Sequence, residues 1–527
     1  MSLMTIYLYS ILLITLVTFA ARRIYFWQRL RHIPGPTTAA WTIWWQLSNA
    51  LSGRYHERLK EAADTYGPLV RIGPNQLLST DPEVLRRMSA VRSGYTKGKF
   101  YASGKIVPGV DNVVSLRDPA KHKEMRALMA PGFSGKANEG YSFEAAMNRQ
   151  LLSFIDLLER KYVTSGSDVR PFDMAEKTQF FALDAIGDIS LGQPFGYLDK
   201  DEDLYQYNEI NTTSLPLMNV VSVMPALANI VHTWPLRLLL PKEGDQVGFG
   251  RLMRFARGYV DTRLDPKTPR AQDMMQAHID SGMSKNDLIQ QVFLSIIAGS
   301  NSSAHALRMT LLSIITSPPA YNSLIDEIRR ASPAVSSPIT WAQAQTLPYL
   351  QAVIREGLRM WPPVGGLGFK TVPPEGDHVN GYFVPGGTEI GQGFHGVGRS
   401  KAVWGPDADV FRPERWLSAT GDRPKEMTDA VDTHFGYGKY SCLGKPIAMM
   451  ELHKAVFEVR YIVQPFKSCH GAICKWLIRT CLTARTTLRL LRSESRVTDQ
   501  DNRLHIPLCV RFLGNAYEAQ SLARPYN

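Results

Sequence analysis

The sequence predicts a mostly α-helical protein with small β-sheets, a mixed α/β architecture set as one large domain behind an N-terminal transmembrane helix. Three observations carry that expectation. The chain opens on an uncharged apolar run, Leu3–Ala21, closed by basic residues. Its middle holds one very long apolar helix, Ser284–Thr316, interrupted by a cluster of poor helix formers. Near residue 440 a glycine turn, H-F-G-Y-G-K-Y-S-C-L-G (His434–Gly444), sets Cys442 just ahead of a further helix.

Composition supports a large core, with 44% hydrophobic residues in 527. The formal charge of +12 is spread along the chain and not gathered into basic blocks with interleaved aromatics. That argues against nucleic acid and fits an acidic protein partner or an anionic membrane surface. Four of the five cysteines (Cys469, Cys474, Cys481 and Cys509) follow residue 468, which excludes a disulfide scaffold for the main body.

Leu3–Ala21 just reaches the length of about 20 apolar residues that spans a bilayer. A cleaved signal peptide would carry positive charge ahead of its apolar run. Here Arg22, Arg23, Arg29 and Arg31 follow it, so residues 1–21 read as a retained single-pass anchor with the body on the cytosolic side. Ile33-Pro34-Gly35-Pro36 is a helix breaker. Residues 22–36 therefore read as a basic and proline-rich linker, and residues 37–460 as the globular domain.

Within that domain Leu51–Tyr66 has a helical pattern, and Pro68–Leu78 reads as two strands around Gly73-Pro74. Ala120–Ser134 reads as a short helix ended by Pro131-Gly132, with His122 and Arg126 four apart on one face. Taken alone, that pair is a solvated basic face. Residues 140–280 alternate helix and loop without a catalytic motif, as pocket walls would. In the long helix, Ser284 and Asp287 make a capping box and Pro318-Pro319 supplies the stop. Leu288, Ile289, Val292, Phe293, Ile296 and Ile297 form an apolar stripe that must run through the core. Its middle, A-G-S-N-S-S (Ala298–Ser303), contradicts the helix around it, and such conflicts mark functional sites. Hydroxyls and an amide there are expected to open the backbone ladder and admit water or a ligand.

Downstream, L-Q-A-V-I-R-E-G-L-R (Leu350–Arg359) places Glu356 and Arg359 three apart on a helix. Trp361-Pro362-Pro363 breaks it, strand-like segments occupy Phe369–Ile390, and F-R-P-E-R-W (Phe411–Trp416) follows. In the glycine turn, Gly436 and Gly438 let the backbone approach a flat ligand. Pro446 suits the first turn of the next helix. A thiol at a helix N-terminus is expected to have a lowered pKa and to serve as a thiolate ligand to a metal.

The spacing F-G-x-G-x-x-x-C-x-G, together with E-x-x-R and F-R-P-E-R-W, resembles the cytochrome P450 monooxygenases, in particular microsomal filamentous-fungal members. The proline-rich stretch at Ile33–Pro36 is similar to their hinge. The resemblance implies their fold and a haem b whose iron takes the Cys442 thiolate as axial ligand. It implies that Phe435, Gly436 and Gly444 shape the haem loop and that His122, Arg126, Lys370 and Tyr440 hold the propionates. Lys370 stands where relatives have an Arg, and supplies charge without a bidentate fork. Tyr440 stands where relatives have Arg or His, and offers one hydrogen bond without a charge. Glu356, Arg359 and Arg415 are implied to form a buried structural network that braces the haem loop. Asn301 and Ser302 fall on the acid and Thr of the oxygen-activating pattern. Ser302 keeps the hydroxyl, whereas Asn301 can position water but cannot deliver a proton as an acid does.

The resemblance further implies insertion of one oxygen atom from O2 into a hydrophobic small molecule, of the kind made in fungal secondary metabolism. Electrons would come from an NADPH–haemoprotein reductase to a monomeric enzyme on the endoplasmic reticulum membrane, with no nucleic-acid partner. Asn301 also motivates a second reading, a reductase-independent haem-thiolate isomerase or dehydratase. A third, an inactive anchored relative, comes from the tail. The resemblance fades after His453, and residues 461–527 form an atypical tail with an abrupt change in cysteine use, as a gene-model artefact would give. Cys469, His470, Cys474 and Cys481 there match no zinc spacing.

Overall fold

The long helix expected from the sequence organises the fold. In a computed structural model, residues 3–458 are described apart from 106–109, 135–141, 164–169, 172, 225–226, 228–229, 231–232, 234–241, 246–247 and 366. Seven helices position the site: α1 (Leu3–Leu30), α2 (Pro119–Phe133), α3 (Met174–Leu191), α4 (Tyr207–Val223), α5 (Lys285–Thr316), α6 (Pro348–Met360) and α7 (Lys445–Glu458). The tail and its cysteines lie outside the described residues.

Helix α5 runs 32 residues, about 48 Å at 1.5 Å per residue. Ser284 caps it by accepting the Asp287 N–H at 3.2 Å, and its hydroxyl donates to Asp287 Oδ2 at 2.6 Å. The expected capping box is thus closed between side chains. The apolar stripe is buried, as Leu288, Val292, Phe293 and Ile296 are at most 1% exposed. Gly299 is where α3 comes closest: a Cβ there would stand 2.7 Å from Ile186 Cγ1. The predicted opening of the ladder does not occur. The helix is continuous through Ala298–Ser303. Ser300 and Ser302 instead donate to the Ile296 and Ala298 carbonyls at 2.6 and 2.7 Å, adding to the backbone bonds without replacing them.

Among the described residues seven short strands complete the fold: β1 (Leu69–Gly73), β2 (Gln76–Ser79), β3 (Thr96–Lys97), β4 (Lys370–Thr371), β5 (Asp377–Val379), β6 (Tyr382–Val384) and β7 (Glu389–Gln392). Five form one sheet in the order β1-β2-β7-β4-β3, and β5 pairs with β6. Only β2 and β7 run parallel, and the register of β3 on β4 sets Lys97 opposite Lys370.

Two boundaries differ from expectation. Helix α2 does not stop at Pro131 but carries it in its last turn and ends at Phe133, where Ser134 Oγ donates to Pro131 O at 2.7 Å. Helix α1 does not end at Ala21. It continues through Arg22, Arg23 and Arg29 to Leu30, so the basic half of the expected linker is helical. The reason lies in the sheet. Buried Arg71 on β1 donates to Phe26 O, Ala40 O and Pro74 O at 3.0, 3.1 and 2.8 Å, satisfying a carbonyl of α1's last turns. Arg29 donates to Gly386 O at 2.5 Å, and Leu30 is fully buried. Upstream of this junction α1 is exposed. It is the one helix among the described residues long and apolar enough to cross a membrane.

Candidate functional site

The turn that leads into α7 is shaped by its glycines. Gly436 has φ +70°, and a Cβ there would lie 2.4 Å from Tyr440 O, so the loop closes only without a side chain. Cys442 N donates to Phe435 O at 2.6 Å, which fixes the cysteine three residues before α7. Phe435 is half-buried beneath the Lys445 ammonium, 5.5 Å from its ring centre. Gly444 leaves room beside the thiol, since a Cβ there would stand 3.8 Å from Cys442 Sγ. The expectation of a lowered thiol pKa is overturned for the protein alone. Desolvation by the surrounding protein raises it, outweighing the N–H groups of Gly444 and Lys445 and the charge of Arg126. A coordinated metal cation reverses that balance, because a ligating thiol is deprotonated outright. Among the described residues no group of three or more His, Cys, Asp or Glu could hold a metal ion.

Beside this loop stands a cluster of cations. On α2, Arg126 donates to Ser441 O at 2.8 Å, tying that helix to the residue before the cysteine. His122, one turn earlier, is buried with its ring 5.4 Å from that of Tyr440. Burial, with the charges of Lys97, Arg126, Lys370 and Lys439, pushes its pKa down to about 3, so it stands neutral. Lys370 is 1% exposed, donates to Tyr101 Oη at 3.1 Å, and lies 3.5 Å from the Tyr440 ring centre. The Tyr440 ring thus carries a cation on its face. Its hydroxyl points at Tyr95 O, 3.4 Å away. Among the described residues no carboxylate is ion-paired with Lys97, Lys370, Lys439 or Arg126.

Lys97 is the residue that sequence reasoning missed. It is 5% exposed, sits directly opposite Lys370 across two strands, and donates to Val113 O and Val114 O at 2.7 and 2.8 Å. Burial, then Arg126, lowers its pKa to about 7, and burial, then Lys97 and Lys439, lowers that of Lys370 well below normal. Like charges opposed across a ladder are destabilising, and buried charges persist only when compensated. A ligand with carboxylates would supply that compensation. Nothing marked Lys97 in the sequence except an isolated Lys in Y-T-K-G, because its partner is far along the chain.

The Ala298–Ser303 segment forms the other candidate surface. Ala298 is exposed and Gly299, Asn301 and Ser302 are half-buried in the middle of a core helix, so the segment borders open space. The Asn301 amide is engaged with Asn211 of α4, its Oδ1 accepting from Asn211 Nδ2 at 3.0 Å.

The third group lies apart from both. Glu356 Oε1 accepts from Arg359 Nη2 at 2.8 Å, Arg415 Nε at 2.9 Å and Arg412 N at 2.8 Å. Its Oε2 accepts from Arg359 Nε and Trp416 Nε1, both at 2.9 Å. Arg359 reaches on to Ala408 O at 2.6 Å and Arg415 to Asp407 Oδ1 at 3.1 Å, so three segments close on one carboxylate.

A cytochrome P450 family model matches residues 34–466. The chain belongs to the cytochrome P450 family. It is 38% identical over 469 residues to the cytochrome P450 monooxygenase ABA1 of Pyricularia oryzae, covering 87% of this chain and 91% of the relative. It is 35% identical over 453 residues to the corresponding aba1 protein of Botryotinia fuckeliana (84% and 88% covered), and 30% identical over 452 residues to pisatin demethylase of Fusarium vanettenii (82% and 85%). This P450 is a monooxygenase whose family binds haem through a cysteine thiolate, and the residues present fit that group. One thiol stands clear on a glycine-shaped loop, beside buried cations that lack an anion. The P450 family as a whole draws electrons from a redox partner and acts on hydrophobic substrates.

The lysine pair makes a direct prediction. A charge-assisted hydrogen bond contributes about 1.5–3 kcal/mol. Lys97→Met with Lys370→Met is expected to transfer haem to an apo-acceptor at least roughly tenfold faster than wild type, with the helical circular dichroism unchanged. An unaltered transfer rate would remove both lysines from the account.

Proposed function

We propose that this P450 is a reductase-fed monooxygenase of a hydrophobic small molecule in fungal secondary metabolism. The reading holds it as a monomer, anchored by α1 in the endoplasmic reticulum membrane with residues 37–460 cytosolic. What supports it above all is Cys442 on a loop whose Tyr440 packs against buried Lys370, opposite buried Lys97, with no carboxylate ion-paired to either lysine among the described residues. The relatives named as monooxygenases, and the one named for demethylating pisatin, support the same reading.

Haem b, ligated by the Cys442 thiolate, would supply the activation of O2 for transfer of one oxygen atom. The chain's own residues do the rest. Lys97, Lys370 and Arg126 supply positive charge for the propionates, with neutral His122 as a hydrogen-bonding neighbour. Arg126 immobilises the loop through Ser441 and sets a positive charge beside the thiol. Gly436 lets the loop close, the Phe435 carbonyl fixes Cys442 through its N–H, and Gly444 adds no side chain beside the thiol, while Glu356, Arg359 and Arg415 brace the segments behind it. On α5, Ser302 Oγ holds its proton toward Ala298 O and can exchange that bond for one to a ligand or water. Proton delivery rests on Ser302 and the water it admits, because the Asn301 amide is already bonded.

The test is reconstitution of the full-length protein in lipid with an NADPH–haemoprotein reductase and a panel of hydrophobic small molecules. Product formation is expected to require NADPH, O2 and the reductase together. Product formed without NADPH would replace this reading with an isomerase or dehydratase. A folded chain that takes up no haem would mark an inactive relative.

A further inference from the structure

Helices α4 and α5 meet through neutral side chains. The Tyr207 hydroxyl lies 3.0 Å from Ser300 Oγ, and the Ser300 proton is already given to Ile296 O at 2.6 Å, so Tyr207 is the donor. One turn further along α4 and one residue further along α5, Asn211 and Asn301 face each other. Asn211 Nδ2 donates to Asn301 Oδ1 at 3.0 Å, and Asn301 Nδ2 donates to Asn211 Oδ1 at 3.4 Å. Tyr207 and Asn211 are 1% and 6% exposed and Asn301 is half-buried, so the Tyr207–Ser300 bond is buried and the amide pair is largely screened from bulk water. Among the described residues no carboxylate or cation is bonded to either amide. The far end of α4 is tied separately, by Ser222 Oγ at 2.9 Å from Ser103 Oγ, in the turn Lys99–Gly104 that also carries Tyr101.

A carboxylate at position 301 would sit at this junction with no cation bonded to it, and an uncompensated buried charge is costly. An amide satisfies its opposite amide in both directions without charge. We propose that Asn301 and Asn211 form an uncharged clasp that fixes α4 against the oxygen-handling segment of α5. Asn301 is on this account a positioning residue for α4, acting through Asn211, and not a source of protons.

Removing one partner of a buried hydrogen-bonded pair leaves the other unsatisfied, whereas replacing both by apolar groups of similar shape is close to neutral. The full-length protein is therefore compared with Asn301→Leu, Asn211→Leu, the double variant, and the conservative Asn301→Asp, which keeps an acceptor for Asn211. Two quantities are read: amide hydrogen exchange across residues 207–223, and carbon monoxide rebinding after flash photolysis of the haem-loaded protein. Each single leucine variant is expected to speed both by roughly three- to tenfold, the span of one net hydrogen bond. The double variant is expected to return toward wild type, and Asn301→Asp to be disturbed at least as much as Asn301→Leu, because the acceptor it keeps for Asn211 brings an unpaired charge to the junction. Wild-type behaviour in the single variants, or a double variant whose effect is the product of the two, would overturn the clasp. The exchange measurement needs no haem, so a failure of haem binding strikes the functional reading alone and leaves the clasp to be judged by exchange.

Discussion

Glu356→Ala is expected to lower the melting temperature by about 3–6 °C or to prevent accumulation of folded protein. Five donors converge on this one fully buried carboxylate: two from Arg359, and one each from Arg415, Arg412 N and Trp416. Burial pushes the Glu356 carboxyl up. The hydrogen bond and charge of Arg359, the charge of Arg415 and the Arg412 N–H outweigh it, so the net shift is downward. A depressed carboxyl contributes stability above its unfolded pKa and loses it as pH falls through the folded one. The network is therefore intact at neutral pH. Removing the carboxylate leaves Arg359, itself fully buried, without its counter-charge. Breaking such a pair costs about 3–5 kcal/mol, a large part of a typical total of about 5–15 kcal/mol. Thermal unfolding followed by circular dichroism checks this, with Glu61→Ala as control. That side chain pairs with Arg58 at the surface, where both are at least 36% exposed, and such pairs contribute less than about 1 kcal/mol. Equal melting temperatures for the two variants would deny the network its structural role.

Cys442→Ala is expected to abolish thiolate ligation while leaving most of the fold in place. Cys442 is the one cysteine among the described residues, and its N–H bond to Phe435 O is made by the backbone, which alanine keeps. The cluster of Lys97, Lys370 and Arg126 is untouched by the substitution. Haem affinity should therefore fall without vanishing, and what disappears is the spectroscopic mark of sulfur on iron.

Much of this was legible in the sequence where the information is local. The glycine turn, the E-x-x-R helix and the capped central helix each lie within a short window, and the structure has these elements where the spacing put them. Four features were not legible, for distinct physical reasons. Lys97 gains its meaning only from strand register, which sets it against a residue in another part of the chain. Tyr207 and Asn211 lie in a stretch without a motif, and their role comes from docking α4 on α5. The continuity of α5 through Ala298–Ser303 was misread because serine hydroxyls bonded to the preceding turn coexist with the ladder. Helix α1 outran its predicted end because Arg71, on a distant strand, bonds to a carbonyl of its last turns.

The measurement closest to the central claim is the carbon monoxide difference spectrum of the reduced, membrane-expressed protein, recorded beside Cys442→Ala. The account predicts a red-shifted, thiolate-type Soret band in the wild type and its loss in the variant. A band that survives the substitution would place the ligand elsewhere. A folded, haem-exposed wild type with no such band would contradict the assignment of Cys442 as the haem ligand in this chain.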